Sequence, residues 1–108
     1  MHVFALKQCD TCRKALSALR AAGHDPVVTD VRADGIPPDT LAEIHRIFGD
    51  ALVNRRSTTW RGLSEAEREA PALDLLVRHP TLMKRPVIHD GQGWHLGWGP
   101  EVRKSVLG

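Results

Sequence analysis

The sequence predicts an α/β fold built on a mixed four-stranded sheet. Three observations point to it. A strand, a helix and a second strand fit within the first 31 residues, the spacing of a βαβ unit. The middle of the chain carries its apolar residues at helical period. The last quarter returns to two short β-type runs around an Asp-Gly loop, followed by a helix pattern. The 108 residues are about the size of one domain. Leu, Ile, Val and Phe supply 27 of them, enough for a core and too many for a disordered chain. No apolar run approaches the roughly 18 residues that would suggest a membrane span.

Each element can be justified in turn. His2-Val3-Phe4-Ala5-Leu6 reads as a buried strand, broken by the polar stretch from Gln8 to Thr11. Cys12, Ala15, Leu16, Leu19 and Ala22 then form one face of a helix over about 11–22, and Gly23 stands where a helix ends in the left-handed region. Val27, Val28 and Val31 mark a second strand, parallel to the first because a helix joins them. Pro37 and Pro38 open a helix whose apolar face is Leu41, Ile44, Ile47 and Phe48, ending at Gly49. Residues 54–61 read as a polar loop. Ser64 and Glu67 have capping-box spacing, so a helix starts there. Pro71 to His79 is a short helix with Leu73, Leu76 and Val77 inward, stopped by Pro80. Pro86 to His89 and Trp94 to Gly97 form a hairpin over Asp90–Gly93, and Glu101 to Leu107 a last helix. The order βαβ, helices, ββα is that of a thioredoxin-like fold, with a mixed sheet covered by helices. The expectation is one domain over 1–108, with its core at about 1–32 and 80–108 and a helical insert at about 36–79.

Charge and cysteine usage narrow the chemistry. A formal net charge of +2 predicts neither a nucleic-acid nor a membrane partner. The first residues lack the pattern of a signal peptide, so a cytoplasmic location is expected, where a Cys pair is more often redox-active or metal-bound than structural. Cys9-Asp10-Thr11-Cys12 falls at a strand-to-helix junction. Cys9 precedes the helix, where free backbone N–H groups and the positive end of the dipole favour a thiolate. Lys7, Arg13 and Lys14 add positive potential, and Asp10 opposes it. Cys12 begins the apolar stripe and should point inward. An exposed sulfur that attacks and a shielded one that resolves are the asymmetry a two-thiol catalyst needs. A zinc site is the rival reading, but there is no second C-x-x-C, so no metal is expected.

Three stretches together resemble the arsenate reductase (ArsC) family, in its YffB/Spx-like branch. They are Cys9-Asp10-Thr11-Cys12-Arg13-Lys14-Ala15, the 54–61 segment Asn-Arg-Arg-Ser-Thr-Thr-Trp-Arg, and Pro80-Thr81-Leu82-Met83-Lys84-Arg85-Pro86-Val87. The resemblance spans nearly the whole chain in the right order. It implies a catalytic role for Cys9, with Cys12 where Spx-like members also have Cys. It implies that Arg85 faces the active cysteine, that Pro86 is the cis-proline of thioredoxin-like folds, and that Arg13 is a basic residue of the first helical turn. Two positions depart from arsenate reductases: Trp98 stands where a third oxyanion arginine is found, and Asn54 aligns with the insert arginine, with Arg55 one step away. Trp cannot replace a bidentate guanidinium. The implied activity is therefore glutathione-dependent thiol or disulfide reduction, with an arsenic oxyanion as the other substrate class. No bound cofactor is implied; glutathione, or a glutaredoxin- or thioredoxin-type protein, is the reductant. The alternative is an Spx-like redox regulator that binds RNA polymerase. Those regulators carry a longer basic C-terminal end, which favours the enzyme.

Arg55 and Arg56 are candidates for an anion clamp, equally readable as a solvated loop. Trp60 reads as a core plug, and Trp94 and Trp98 as core or hairpin packing.

Overall fold

The computed structural model describes residues 1–107. Two compact units emerge. One comprises Met1–Asp34 with the chain from Arg85 onward; the other is Gly35–Lys84.

The first unit holds the sheet. Its strands are β1 (His2–Ala5), β2 (Val27–Asp30), β3 (Val87–His89) and β4 (Trp94–Leu96), in the order β2-β1-β3-β4. β1 pairs parallel with β2 and antiparallel with β3, and β3 pairs antiparallel with β4, so the sheet is mixed. The helix between the parallel strands is α1 (Asp10–Ala21), and α6 (Pro100–Leu107) closes the unit. Val3, Ala5 and Ile88 from the sheet pack with Cys12 and Leu19 of α1 and Val106 of α6. That burial is why such short strands hold: each fully buried aliphatic side chain contributes about 1.5–3 kcal/mol. Helix α1 stops in a Schellman motif, where Gly23 at φ +92° donates to the Arg20 carbonyl and His24 N–H donates to that of Leu19, both at 3.0 Å. Ala22 is exposed, so the apolar stripe ends one turn earlier than its spacing suggests. Val27 and Val28 are exposed on the sheet's outer strand, and Val31 is the buried member of that run.

The second unit is helical. Helix α2 (Pro38–Phe48) starts at its prolines and ends at Gly49, φ +58°, running into a 3-10 turn over Gly49–Leu52. Leu41 and Ile44 are its buried residues, while Ile47 faces outward. The segment expected as loop contains a helical turn, α3 (Thr58–Arg61). Its cause is local: the Ser57 hydroxyl accepts from Trp60 N–H at 3.1 Å, an N-cap that four polar residues do not advertise. The Ser64 capping box forms as expected and opens α4 (Glu65–Arg68), a single turn. Helix α5 (Ala72–Arg78) buries Leu75 and Leu76, whereas Val77 is 62% exposed. The expected inward set was thus rotated by one position. A 3-10 turn over Pro80–Leu82 follows, and Val53 bridges Met83 across the unit.

Among the described residues no helix is long and apolar enough to cross a membrane.

Candidate active site

The site grows from the turn between β1 and α1. Cys9 is the N-cap of α1, with extended backbone at φ −88° and ψ 117°. Its N–H donates to the Leu6 carbonyl and its carbonyl accepts from Arg13 N–H, each at 3.0 Å. The loop is anchored from β2: the Asp30 carboxylate accepts from Lys7 N–H at 3.3 Å and from the N–H groups of Arg32 and Ala33 at 2.9 Å. Those amide donors, Ala33 foremost, hold the Asp30 carboxyl below its usual range.

The two sulfurs differ as their sequence positions suggest. Cys9 is half-buried and Cys12 is 1% exposed, and both are free thiols. Partial burial works to raise the Cys9 thiol. The Cys12 N–H and thiol and the Arg85 guanidinium outweigh it, and the net shift is downward. No full cap hydrogen bond is made to the Cys9 side chain, so these donors face the sulfur without enclosing it. Burial pushes Cys12 the other way, up to about 12. Ionisation is thus favoured at Cys9 and opposed at Cys12.

Arg85 reaches Cys9 through the sheet. The β1–β3 register sets Phe4 opposite Val87. Residue 85 lies two positions before that last pair, and its guanidinium comes within hydrogen-bonding reach of the Cys9 sulfur. The Arg85–Pro86 peptide is cis, as the resemblance implied, and the buried Pro86 accepts Gly97 N–H at 2.8 Å through its carbonyl. The cation acting on the sulfur is thus Arg85, 76 positions away, rather than the neighbours Lys7, Arg13 and Lys14. Arg13 is turned onto the Asp10 carboxylate in an exposed ion pair, so Asp10 occupies that cation directly. A cleft of about 210 Å³ opens against α1, lined by Cys12, Arg13 and Leu16 of that helix together with Lys7, Val28, Asp30 and Asp34.

Arg55 and Arg56 belong to the helical unit. Asn54 organises their turn: its side-chain oxygen accepts from Arg56 N–H at 3.0 Å. Trp60 is half-buried, not a core plug, with Arg55 over its ring at 5.4 Å. Arg68, which the sequence did not single out, lies over the same ring at 5.5 Å. It lies on a different single-turn helix from Trp60, and two four-residue helices are too short for period to flag the pair. Trp98 packs against the core of the sheet unit, and Trp94 stands edge-on to His89. No group of three or more His, Cys, Asp or Glu among the described residues could hold a metal ion.

Known proteins resemble this chain in sequence and fold. The model of the ArsC family matches residues 4–105. An uncharacterized protein of Haemophilus influenzae is 42% identical over 96 residues, covering 83% of this chain and 84% of its own. The global transcriptional regulator Spx 2 of Bacillus cereus is 22% identical over 111 residues, covering 97% of this chain and 85% of the regulator. The solved structure of a YFFB protein superposes with a TM-score of 0.90 at 28% identity, covering 99% of this chain and 98% of that one. The sheet order and the cis-proline agree with the thioredoxin-like architecture expected from the sequence. With the family match leaving only three residues uncovered at each end, the chain belongs to the ArsC family.

Proposed function

We propose that this chain is a thiol-dependent oxidoreductase, a glutathione-dependent thiol or disulfide reductase with Cys9 as its nucleophile. The supporting observation is the opposed displacement of the two thiols, Cys9 downward under Cys12 and Arg85, and Cys12 up to about 12. The Cys9 thiolate attacks one sulfur of a disulfide, forming a mixed disulfide and expelling the other half as a thiolate. Cys12, losing its proton to solvent or to the departing thiolate, attacks the Cys9 sulfur and releases the second half. Two glutathione molecules return the Cys9–Cys12 disulfide to dithiol and leave as glutathione disulfide; a glutaredoxin- or thioredoxin-type protein can supply the same two electrons. Alternatively, glutathione attacks the mixed disulfide directly. An arsenic oxyanion is the other substrate class of this chemistry. Arg85 stabilises the thiolate, and the backbone beside Pro86 docks the thiol-bearing partner.

The test is reduction of a small disulfide with glutathione as electron donor. Cys9→Ser should fall to background, and Cys12→Ser, with glutathione withheld, should accumulate a mixed disulfide at Cys9 detectable by mass. Full activity in Cys9→Ser would falsify the assignment.

A second reading rests on the curated Spx relatives, which match 97% of this chain. On that reading the C-x-x-C is a redox switch and the partner is RNA polymerase. Retention of polymerase subunits on the immobilised protein under only one redox condition would favour it; no retention under either would remove it.

A further inference from the structure

The helical unit brings two arginines onto one indole. The guanidinium carbons of Arg55 and Arg68 lie 5.4 and 5.5 Å from the centre of the Trp60 ring, hence within about 11 Å of each other. Neither takes part in an ion pair among the described residues. Arg68 is fixed: its Nε and Nη2 donate to the Trp60 carbonyl and Nη2 also to that of Arg61, all at 3.2 Å. Its second terminal nitrogen is left for another acceptor. Arg55 is exposed and held by the ring alone. Arg55 and Arg68, with Trp60, Asp50, residues 70–72 and Leu75, line a cleft of about 260 Å³. Arg56 and Arg61 flank it in sequence and add positive potential.

A structural staple needs only one of these cations. Arg68 already ties the end of α3 to α4 through the carbonyls of residues 60 and 61. Arg55 contributes nothing to that tie, yet it is drawn to the same ring and the same opening. Two like charges beside one cavity, against a single carboxylate, repel each other unless a counter-charge enters. A lone carboxylate is satisfied by one guanidinium fork, so two separated forks suit a dianion. The cavity lies just below the roughly 300–1,000 Å³ range of drug-sized ligand sites, so the ligand is small.

We propose that Arg55, Trp60 and Arg68 form a binding site for a small dianion, a phosphate monoester or a short dicarboxylate. The two guanidinium groups grip the charged head, and Asp50 faces the rest of the ligand, where it accepts from a hydroxyl or ammonium group. The site lies within residues 50–75 and requires no step at Cys9, so it stands or falls separately from the thiol chemistry.

The experiment is a titration of the full chain, at constant ionic strength, with inorganic phosphate, phosphoserine, succinate and chloride. It is read at the indole N–H resonance of Trp60, assigned with Trp60→Phe. Saturable shifts with phosphate, phosphoserine or succinate but not chloride are expected. Tighter binding of phosphoserine than of succinate identifies a phosphate monoester; the reverse identifies a dicarboxylate. Arg55→Gln, which leaves the Arg68 tie in place, should raise the dissociation constant about tenfold or more, with partial recovery in Arg55→Lys. Asp50→Asn, which removes a like charge, should tighten inorganic phosphate. A Trp60 response that stays linear to high concentration, that chloride reproduces, or that survives Arg55→Gln unchanged overturns the proposal. An affinity for inorganic phosphate that Asp50→Asn leaves unaltered also counts against it.

Discussion

The two units of this chain assemble their charged groups over different distances. In the sheet unit, a guanidinium from residue 85 meets a sulfur from residue 9 because β1 and β3 pair between them. In the helical unit, Arg55, Trp60 and Arg68 lie within 14 residues and are gathered by the single-turn helices α3 and α4, each opened by a serine cap. The first arrangement depends on register and a buried core; the second depends on local capping. Long-range pairing earns a rigidly placed cation, and local turns place theirs with fewer buried contacts behind them.

The sharpest way to break this contrast is to damage the core under the long-range pairing. Ile88 is fully buried between the sheet and its helices, and Ile88→Ala should cost about 2–5 kcal/mol by denaturant unfolding. A loss under 1 kcal/mol would mean that the β1–β3 ladder, rather than its packing, holds residue 85 in place. Arg85→Gln is the next largest. It removes a charge-assisted hydrogen bond, a class worth about 1.5–3 kcal/mol, so disulfide reduction at neutral pH should fall about tenfold. The thiolate absorbance of Cys9 should then appear at higher pH, and the rate should recover as pH rises. A slow rate at every pH would instead assign Arg85 to substrate binding.

On the helical side, Ser64→Ala removes a capping box and should cost about 1 kcal/mol, seen as faster amide exchange at residues 65–68. An unaltered exchange rate would show that packing, not the cap, holds α4. The smallest effect concerns acid. Asp90 is held below the usual carboxylate range by the His95 ring at 2.8 Å and by the N–H groups of Gln92 and Gly93. Because its folded pKa is depressed, its contribution is complete above the unfolded value near 4 and disappears as pH falls below it. Asp90→Asn should therefore flatten the stability profile below pH 4; an identical acid limb would remove Asp90 as a source of that slope.

Much of this was legible beforehand. The βαβ start, the capping box at Ser64, the proline-opened α2 and the hairpin over Asp90–Gly93 all rest on signals confined to a few residues, and local signals survive folding. The thiol asymmetry was legible too, since Cys12 lies in the apolar period of α1 and Cys9 precedes it. The misreadings have a common cause. Val77 for Leu75, the turn at Thr58–Arg61, and Trp60 as a plug each depended on which face a short helix presents, and a single turn is too brief for period to decide. The identity of the cation at Cys9 depended on strand register.

The amino-acid order alone determined where the longer helices begin, which cysteine is shielded, and the family to which the chain belongs, because caps, periods and motifs are written in neighbouring residues. Tertiary structure decided that Arg85 stands at the sulfur and that Arg55 and Arg68 share one ring. The first follows from pairing of strands far apart in the chain and the second from how two short helices meet, and neither is written in the spacing of neighbouring residues.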